Sequence, residues 1–264
     1  MENRMEKTFS GLREENKKGL IGYITAGDPN LDFLKSLLKA MEDGGADVIE
    51  IGVPFSDPLA DGPVIQKAAQ RALKNGFSVD KLFDTLKDIR KEVSTPLVFL
   101  VYYNTIFAYG EEKFIEKCAA CGIDGLIIPD LPLEEQEVLK ADLKKVNMSL
   151  IPLVAPTSEE RIKNIVDDAS GFVYCVTSLG VTGVRSEFSI DLRKYIEKIR
   201  KNTTLPLCLG FGIGDVEKAK EFSVFADGII IGSVLVKKVE EIGKGEATIV
   251  DLRNLVKSFK DAIL

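Results

Sequence analysis

The chain has 264 residues, 45% of them hydrophobic and 29% charged, and a formal net charge of −6. This is a globular composition rather than a disordered one, and the negative balance argues against nucleic acid and anionic membranes as partners. Histidine is absent, so proton-transfer chemistry would fall to other side chains, carboxylates first.

The N-terminus, Met1-Glu2-Asn3-Arg4-Met5-Glu6-Lys7, is charged and has no signal-peptide core. No apolar run approaches the roughly 20 residues that span a bilayer, so a cytoplasmic location is the expectation. Cys118 and Cys121 form a C-x-x-C inside a helical pattern, and Cys175 and Cys208 fall in strand-like runs. With one pair and no histidine, they read as small buried hydrophobes rather than a zinc or redox site, and no metal is expected.

In chain order, a helical pattern over Arg4–Asn16 precedes a first strand, Leu20–Thr25, and a helix over Leu31–Asp43 that stops at Gly44-Gly45. The second strand, Val48–Val53, runs into a turn-rich stretch ending at Gly62-Pro63. It is followed by an extra helix-like segment, Val64–Lys74, and a helix over Val79–Val93 behind the N-cap candidate Ser78. Strands then follow at Leu97–Tyr102, Gly125–Pro129, Ser149–Val154, Gly171–Val176, Leu205–Gly210 and Gly228–Gly232. Helical patterns alternate with them over Glu111–Cys121, Glu134–Val146, Glu159–Asp168, Asp191–Lys201 and Asp215–Phe222; Val234–Glu241 and Thr248–Ile263 close the chain. Most strands are continuous apolar runs, the pattern of a parallel sheet covered by helices.

Eight strands each followed by helix, with no linker or composition shift, predict an α/β fold. The chain is expected to be a single (β/α)8 TIM-barrel domain over residues 1–264, with an N-terminal helix over the barrel bottom and an extra helix after the second strand. An open doubly wound sheet is the alternative.

In such a barrel the active site lies where strands run out into the following loops. Glu50 sits in the apolar run Val48-Ile49-Glu50-Ile51-Gly52, where a carboxylate is costly to bury and needs a reason. Asp61 sits in the next loop, and Asp57 and Asp130 compete with it; local pattern does not choose among them. Gly210-Phe211-Gly212-Ile213-Gly214 after the seventh strand and Gly232-Ser233 after the eighth form a phosphate signature: glycines allow close backbone approach and a helix N-terminus offers N–H donors. Ser178-Leu179-Gly180-Val181-Thr182-Gly183 suits a mobile lid. No strand end carries a Schiff-base lysine, and there is no serine–histidine triad, histidine-ligated metal or nicotinamide fingerprint. Carboxylate acid/base catalysis on a small phosphorylated substrate remains.

The segment Glu50-Ile51-Gly52-Val53-Pro54-Phe55-Ser56-Asp57-Pro58-Leu59-Ala60-Asp61-Gly62-Pro63 closely resembles the tryptophan synthase α subunit family. Tyr23-Ile24-Thr25-Ala26-Gly27-Asp28-Pro29, Gly180–Gly183, Gly210–Ile213 and Ile231-Gly232-Ser233 follow in the family's order. The resemblance covers essentially the whole chain. It implies a lyase of tryptophan biosynthesis that cleaves indole-3-glycerol phosphate to indole and glyceraldehyde 3-phosphate without a cofactor. It makes Glu50 the principal acid/base and Asp61 the acceptor of the indole N–H. It places Gly183, Gly212, Gly232 and Ser233 around the phosphate, and lets Thr182 reach Asp61 on loop closure. Tyr23, Leu100, Tyr102, Ile127, Tyr174 and Phe211 become the indole wall. The family often has phenylalanine where Tyr23 stands.

The resemblance also implies a β subunit partner, in an α2β2 complex, whose pyridoxal phosphate joins indole to serine. The loop carrying Pro54 and Asp57, together with Asn104, Asp130 and Pro132, would face that partner. Other readings are a free-standing indole-releasing lyase, a non-catalytic activator of the β subunit, and a phosphate-binding barrel isomerase.

Overall fold

Short runs of β-branched and aliphatic residues, each ended by a turn and answered by an amphipathic helix, build a parallel sheet. The computed structural model describes residues 3–177, 191–210 and 212–264. The strands are β1 Gly19–Thr25, β2 Val48–Gly52, β3 Leu97–Leu100, β4 Gly125–Ile127, β5 Ser149–Leu150, β6 Leu153–Val154, β7 Val173–Val176, β8 Leu207–Gly210 and β9 Gly228–Ile231. The helices are α1 Arg4–Glu14, α2 Leu34–Asp43, α3 Pro63–Lys74, α4 Val79–Ile89, α5 Tyr103–Tyr109, α6 Glu111–Ala120, α7 Glu137–Lys145, α8 Ile162–Val166, α9 Leu192–Arg200, α10 Val216–Ser223, α11 Ser233–Gly243 and α12 Ile249–Ile263.

The strand order is β5-β4-β3-β2-β1-β9-β8-β7-β6. Its two ends are halves of one run, the predicted fifth strand, divided around Pro152. The Ile151 amide donates back to Leu126 of β4 at 2.8 Å, whereas the Pro152 carbonyl accepts from Tyr174 of β7 at 2.9 Å. The hydrogen bonding thus changes sides within two residues and the sheet closes on itself as a (β/α)8 barrel. Proline has no N–H to offer a ladder, which suits it to this switch point.

Side-chain alternation divides the strands into two layers. Leu20, Ile24, Ile49, Ile51, Phe99, Leu126, Cys175, Leu209, Ile229 and Ile231 face the helices. Ile21, Val48, Val98, Ile127, Tyr174, Cys208 and Ile230 fill the barrel interior, where Met5 and Phe9 of α1 join them. Helix α1 therefore closes the barrel bottom, as its pattern predicts. Asn3 anchors it: its side-chain oxygen accepts the Met5 N–H at 2.9 Å, and its amide nitrogen donates to the carbonyls of Asp124 and Asn147 at 3.0 and 2.9 Å. The four cysteines are free and buried.

Two elements differ from the sequence expectation. Strand β3 stops at Leu100, and α5 follows it where a loop is expected. No neighbouring side chain caps α5; the Tyr103 amide donates instead to Asp130 Oδ1, 27 residues on, at 2.8 Å. The predicted helix over Glu159–Asp168 is a 3-10 segment, Pro156–Arg161, followed by the short α8.

Candidate active site

Glu50 shares strand parity with Val48, so the alternation that buries Val48 in the barrel turns Glu50 inward one layer higher. It pairs in register with Tyr23 on β1 and Val98 on β3. The carboxyl is 1% exposed, and its Oε2 has no hydrogen-bond partner among the described residues. Burial, reinforced by the negative charge of nearby Asp61, raises its pKa to about 8.

Asp61 reaches the same cavity from the loop after β2. Its amide donates to the Pro58 carbonyl at 3.1 Å, and its own carbonyl accepts from Gln66 Nε2 at 2.9 Å. It does not cap α3; the N-cap is Gly62, with Pro63 at the first helical position. The Tyr102 hydroxyl donates to Asp61 Oδ2 at 3.2 Å and accepts the Ala60 N–H at 3.0 Å. Phe55 stacks on the Tyr102 ring with centroids 5.0 Å apart. Burial raises the Asp61 pKa to about 6, and the Tyr102 hydrogen bond opposes that rise.

The cavity measures about 330 Å³. Its lining combines the apolar side chains of Tyr23, Leu100, Tyr174 and Ile230 with Gly212, Gly214, Gly232, Ser233 and Lys237. Two strand glycines make room for the tyrosines. A Cβ on Gly52 would lie 2.0 Å from the Tyr23 hydroxyl, and one on Gly210 would lie 2.6 Å from the Tyr174 ring. The Tyr23 hydroxyl, absent from a phenylalanine, lies 3.2 Å from Thr25 Oγ1. Gly212 has φ +75°, the left-handed region that favours glycine. Gly232 is the N-cap of α11 and Ser233 its first residue, so the first-turn amides of this helix lie beside the glycines.

The residues proposed from sequence separate into groups. Glu50, Asp61, Tyr23, Leu100, Tyr174, Gly212, Gly232 and Ser233 come together around the cavity. Tyr102 meets it through Asp61, and Ile127 is buried in the barrel interior without lining it. Thr182, Gly183 and Phe211, with the lid expectation for Ser178–Gly183, lie outside the described residues. Asp57 and Asp130, the competing acids, are exposed and do not line the cavity. Asn104 and Pro132 are also exposed, whereas Pro54 is buried in its loop.

Sequence reasoning missed Val64, Ile65, Ile230 and Lys237. The spacing of Ser233 and Lys237, four residues apart on the helix that opens at the phosphate glycines, was the available signal for Lys237. No group of three potential metal ligands occurs among the described residues.

A closed parallel barrel with two buried carboxylates at its mouth, facing a glycine-lined helix N-terminus, defines a barrel enzyme. The sequence profile of the tryptophan synthase alpha chain family matches residues 9–264. The tryptophan synthase alpha chain of Alkaliphilus metalliredigens is 50% identical over 240 residues, 91% of this chain and 90% of that one. That of Thermoanaerobacter sp. is 44% identical over 261 residues, 99% of this chain and 100% of that one. Among solved structures, tryptophan synthase subunit alpha from Legionella pneumophila superposes with a TM-score of 0.89 at 34% identity, covering 100% of this chain and 99% of that one. A structure from Aquifex aeolicus superposes with a TM-score of 0.89 at 40% identity, covering 99% of each chain. The chain belongs to the tryptophan synthase alpha chain family, the enzyme subunit of tryptophan biosynthesis that cleaves indole-3-glycerol phosphate.

Proposed function

We propose that this cleavage runs here as a cofactor-free retro-aldol reaction, with Glu50 moving the protons and Asp61 holding the indole. The single observation that carries the reading is the buried, unpartnered carboxyl oxygen of Glu50 in one cavity with Asp61 and the Gly212–Gly232–Ser233 cradle. Protonated Glu50 gives its proton to the indole carbon that bears the glycerol chain. The ring becomes an iminium, and Asp61 accepts the ring N–H and stabilises the positive charge. Glu50, now a carboxylate, takes the proton of the side-chain hydroxyl next to the breaking bond. The electrons of that carbon–carbon bond flow into the ring, leaving indole and an aldehyde. The substrate's own ring is the electron sink, so neither a lysine nor a metal is required. The glycines and α11 hold the phosphate together with Gly183 of the sixth loop, and Thr182 reaches Asp61 when that loop closes. Tyr23, Leu100 and Tyr174, with Phe211, enclose the indole.

The partner is a β subunit that carries pyridoxal phosphate and consumes the indole, in an α2β2 complex within the cytoplasm. Exposed apolar side chains support a docking face around Asp57, Asn104, Asp130 and Pro132: Leu59 is 80% exposed and Phe107 68%. All 264 residues would act as one barrel unit. Among the described residues no helix is long and apolar enough to cross a membrane.

The test is indole release from indole-3-glycerol phosphate by the full chain, alone and with an added β subunit. Glu50→Gln is expected to lower turnover roughly 10²–10⁴-fold, the range for a lost general acid/base, with the fold intact. Cleavage unaffected by Glu50→Gln would sink the mechanism. High turnover without the β subunit would remove the complex-dependent reading and leave the chemistry standing.

A further inference from the structure

Lys237 lines the cavity together with Gly212, Gly214, Gly232 and Ser233. It lies four residues after Ser233 on α11, so both side chains share one face of that helix. Helical side chains lean toward the N-terminus of their helix, which carries the Lys237 ammonium back toward the cradle. Its neighbours are occupied otherwise: Lys238 pairs with Glu241, and Lys244 pairs with Glu240 at 2.8 Å. Lys237 has no carboxylate partner among the described residues. A second ammonium stands nearby, with Lys218 Nζ 4.0 Å from where a Cβ on Gly212 would lie.

The charge balance gives this placement a purpose. The chain carries a net charge of −6, and the cavity itself holds Asp61, ionised above about pH 6, beside a Glu50 that keeps its proton up to about pH 8. A phosphate dianion entering such a cavity meets like charge, and backbone N–H groups supply only partial positive charge against it. A flexible ammonium at the cavity rim offsets that repulsion during both approach and binding.

We propose that Lys237 is a substrate-binding residue for the phosphate: its side chain supplies the full positive charge that the backbone cradle lacks. The inference rests on the proposed placement of the phosphate at the Gly212–Ser233 end. Lys237 acts on the bound dianion, away from the reacting bond, so its removal changes KM and leaves kcat in place.

The experiment compares the full chain with Lys237→Gln and Lys237→Arg. It measures kcat and KM for indole-3-glycerol phosphate over a range of ionic strength, and calorimetric binding of glycerol 3-phosphate. Lys237→Gln is expected to raise KM and weaken glycerol 3-phosphate binding about tenfold, the order for one charge-assisted contact. It is also expected to keep kcat and to flatten the salt dependence of kcat/KM. Lys237→Arg is expected to restore most of the affinity. Unchanged KM, binding and salt slope would overturn the proposal, and so would a loss of kcat with KM unchanged. A wild-type chain that binds glycerol 3-phosphate through Lys237 but cleaves no indole-3-glycerol phosphate even with an added β subunit would count against the cleavage mechanism and not against this assignment.

Discussion

Glu50 is 1% exposed and keeps one oxygen unpartnered, so its ionised form loses water and gains little in return. Its folded pKa of about 8 lies above the ordinary carboxylate value. Between those two pH values the folded chain holds a proton that the unfolded chain has released. Stability therefore falls as pH climbs through that window, and the full cost is present above about pH 8. Glu50→Gln removes the ionisation, so it is expected to stabilise the fold in alkaline buffer, on the order of a few kcal/mol. The gain should vanish toward pH 4, which urea denaturation at several pH values would measure. The proposed mechanism needs Glu50 protonated and Asp61 ionised, so kcat/KM should form a bell that falls below about pH 6 and above about pH 8. Tyr102→Phe deletes the hydrogen bond that holds the Asp61 pKa down, and should shift the acidic limb to higher pH while leaving the alkaline limb in place. Glu50 was legible in the sequence because a strand's two-residue period and an out-of-place charge are both local. Asp61 was not separable from Asp57 and Asp130 by pattern, because exposure of a loop carboxylate depends on what folds over it.

At the scale of elements, an ion cluster centred on buried Asp28 ties the loop after β1 to α3 and α11. Asp28, 1% exposed, takes a two-pronged contact from Arg71 of α3, with Nε to Oδ1 at 2.8 Å and Nη2 to Oδ2 at 2.7 Å. Arg71 also reaches Glu240 of α11 at 3.4 Å. Helix α3 begins beside Asp61 and α11 begins at Ser233, so the cluster braces two helices whose N-termini both border the cavity. Arg71→Ala leaves a buried carboxylate alone and is expected to cost about 3 kcal/mol in urea denaturation. Arg71→Lys should recover only part of it, since an ammonium cannot match both oxygens at once. Helix α5 shows the limit of local reading. Its sequence, Tyr103-Asn104-Thr105-Ile106-Phe107-Ala108-Tyr109, has no cap of its own, and the acceptor for its first amide comes from Asp130 after the next strand.

For the whole molecule, closure and the plugged bottom decide stability, while the opposite mouth holds the cavity. Met5 is fully buried, and its terminal methyl lies 3.3 Å and 3.0 Å from where Cβ atoms on Gly125 and Gly171 would sit. Two interior glycines thus shape the space that the α1 side chain fills. Met5→Ala should leave a void there and cost about 2–5 kcal/mol. The cavity is lined from the other end of the strands, so KM for indole-3-glycerol phosphate should stay unchanged while the denaturation midpoint falls.

The sequence alone determined the alternation of strands and helices, the parallel character of the sheet, Glu50 as a charge out of place in an apolar strand and the glycine signature after the last two strands. Each of these follows from periodicity or backbone preference over a few consecutive residues. Only the tertiary structure decided where the sheet closes, at the change of hydrogen-bond partner between Ile151 and Pro152. It also brought Asp61, and neither Asp57 nor Asp130, into one cavity with Glu50, gave α5 its first acceptor and set Lys237 in the cavity lining. These depend on residues far apart in the chain meeting across space, which no local period records.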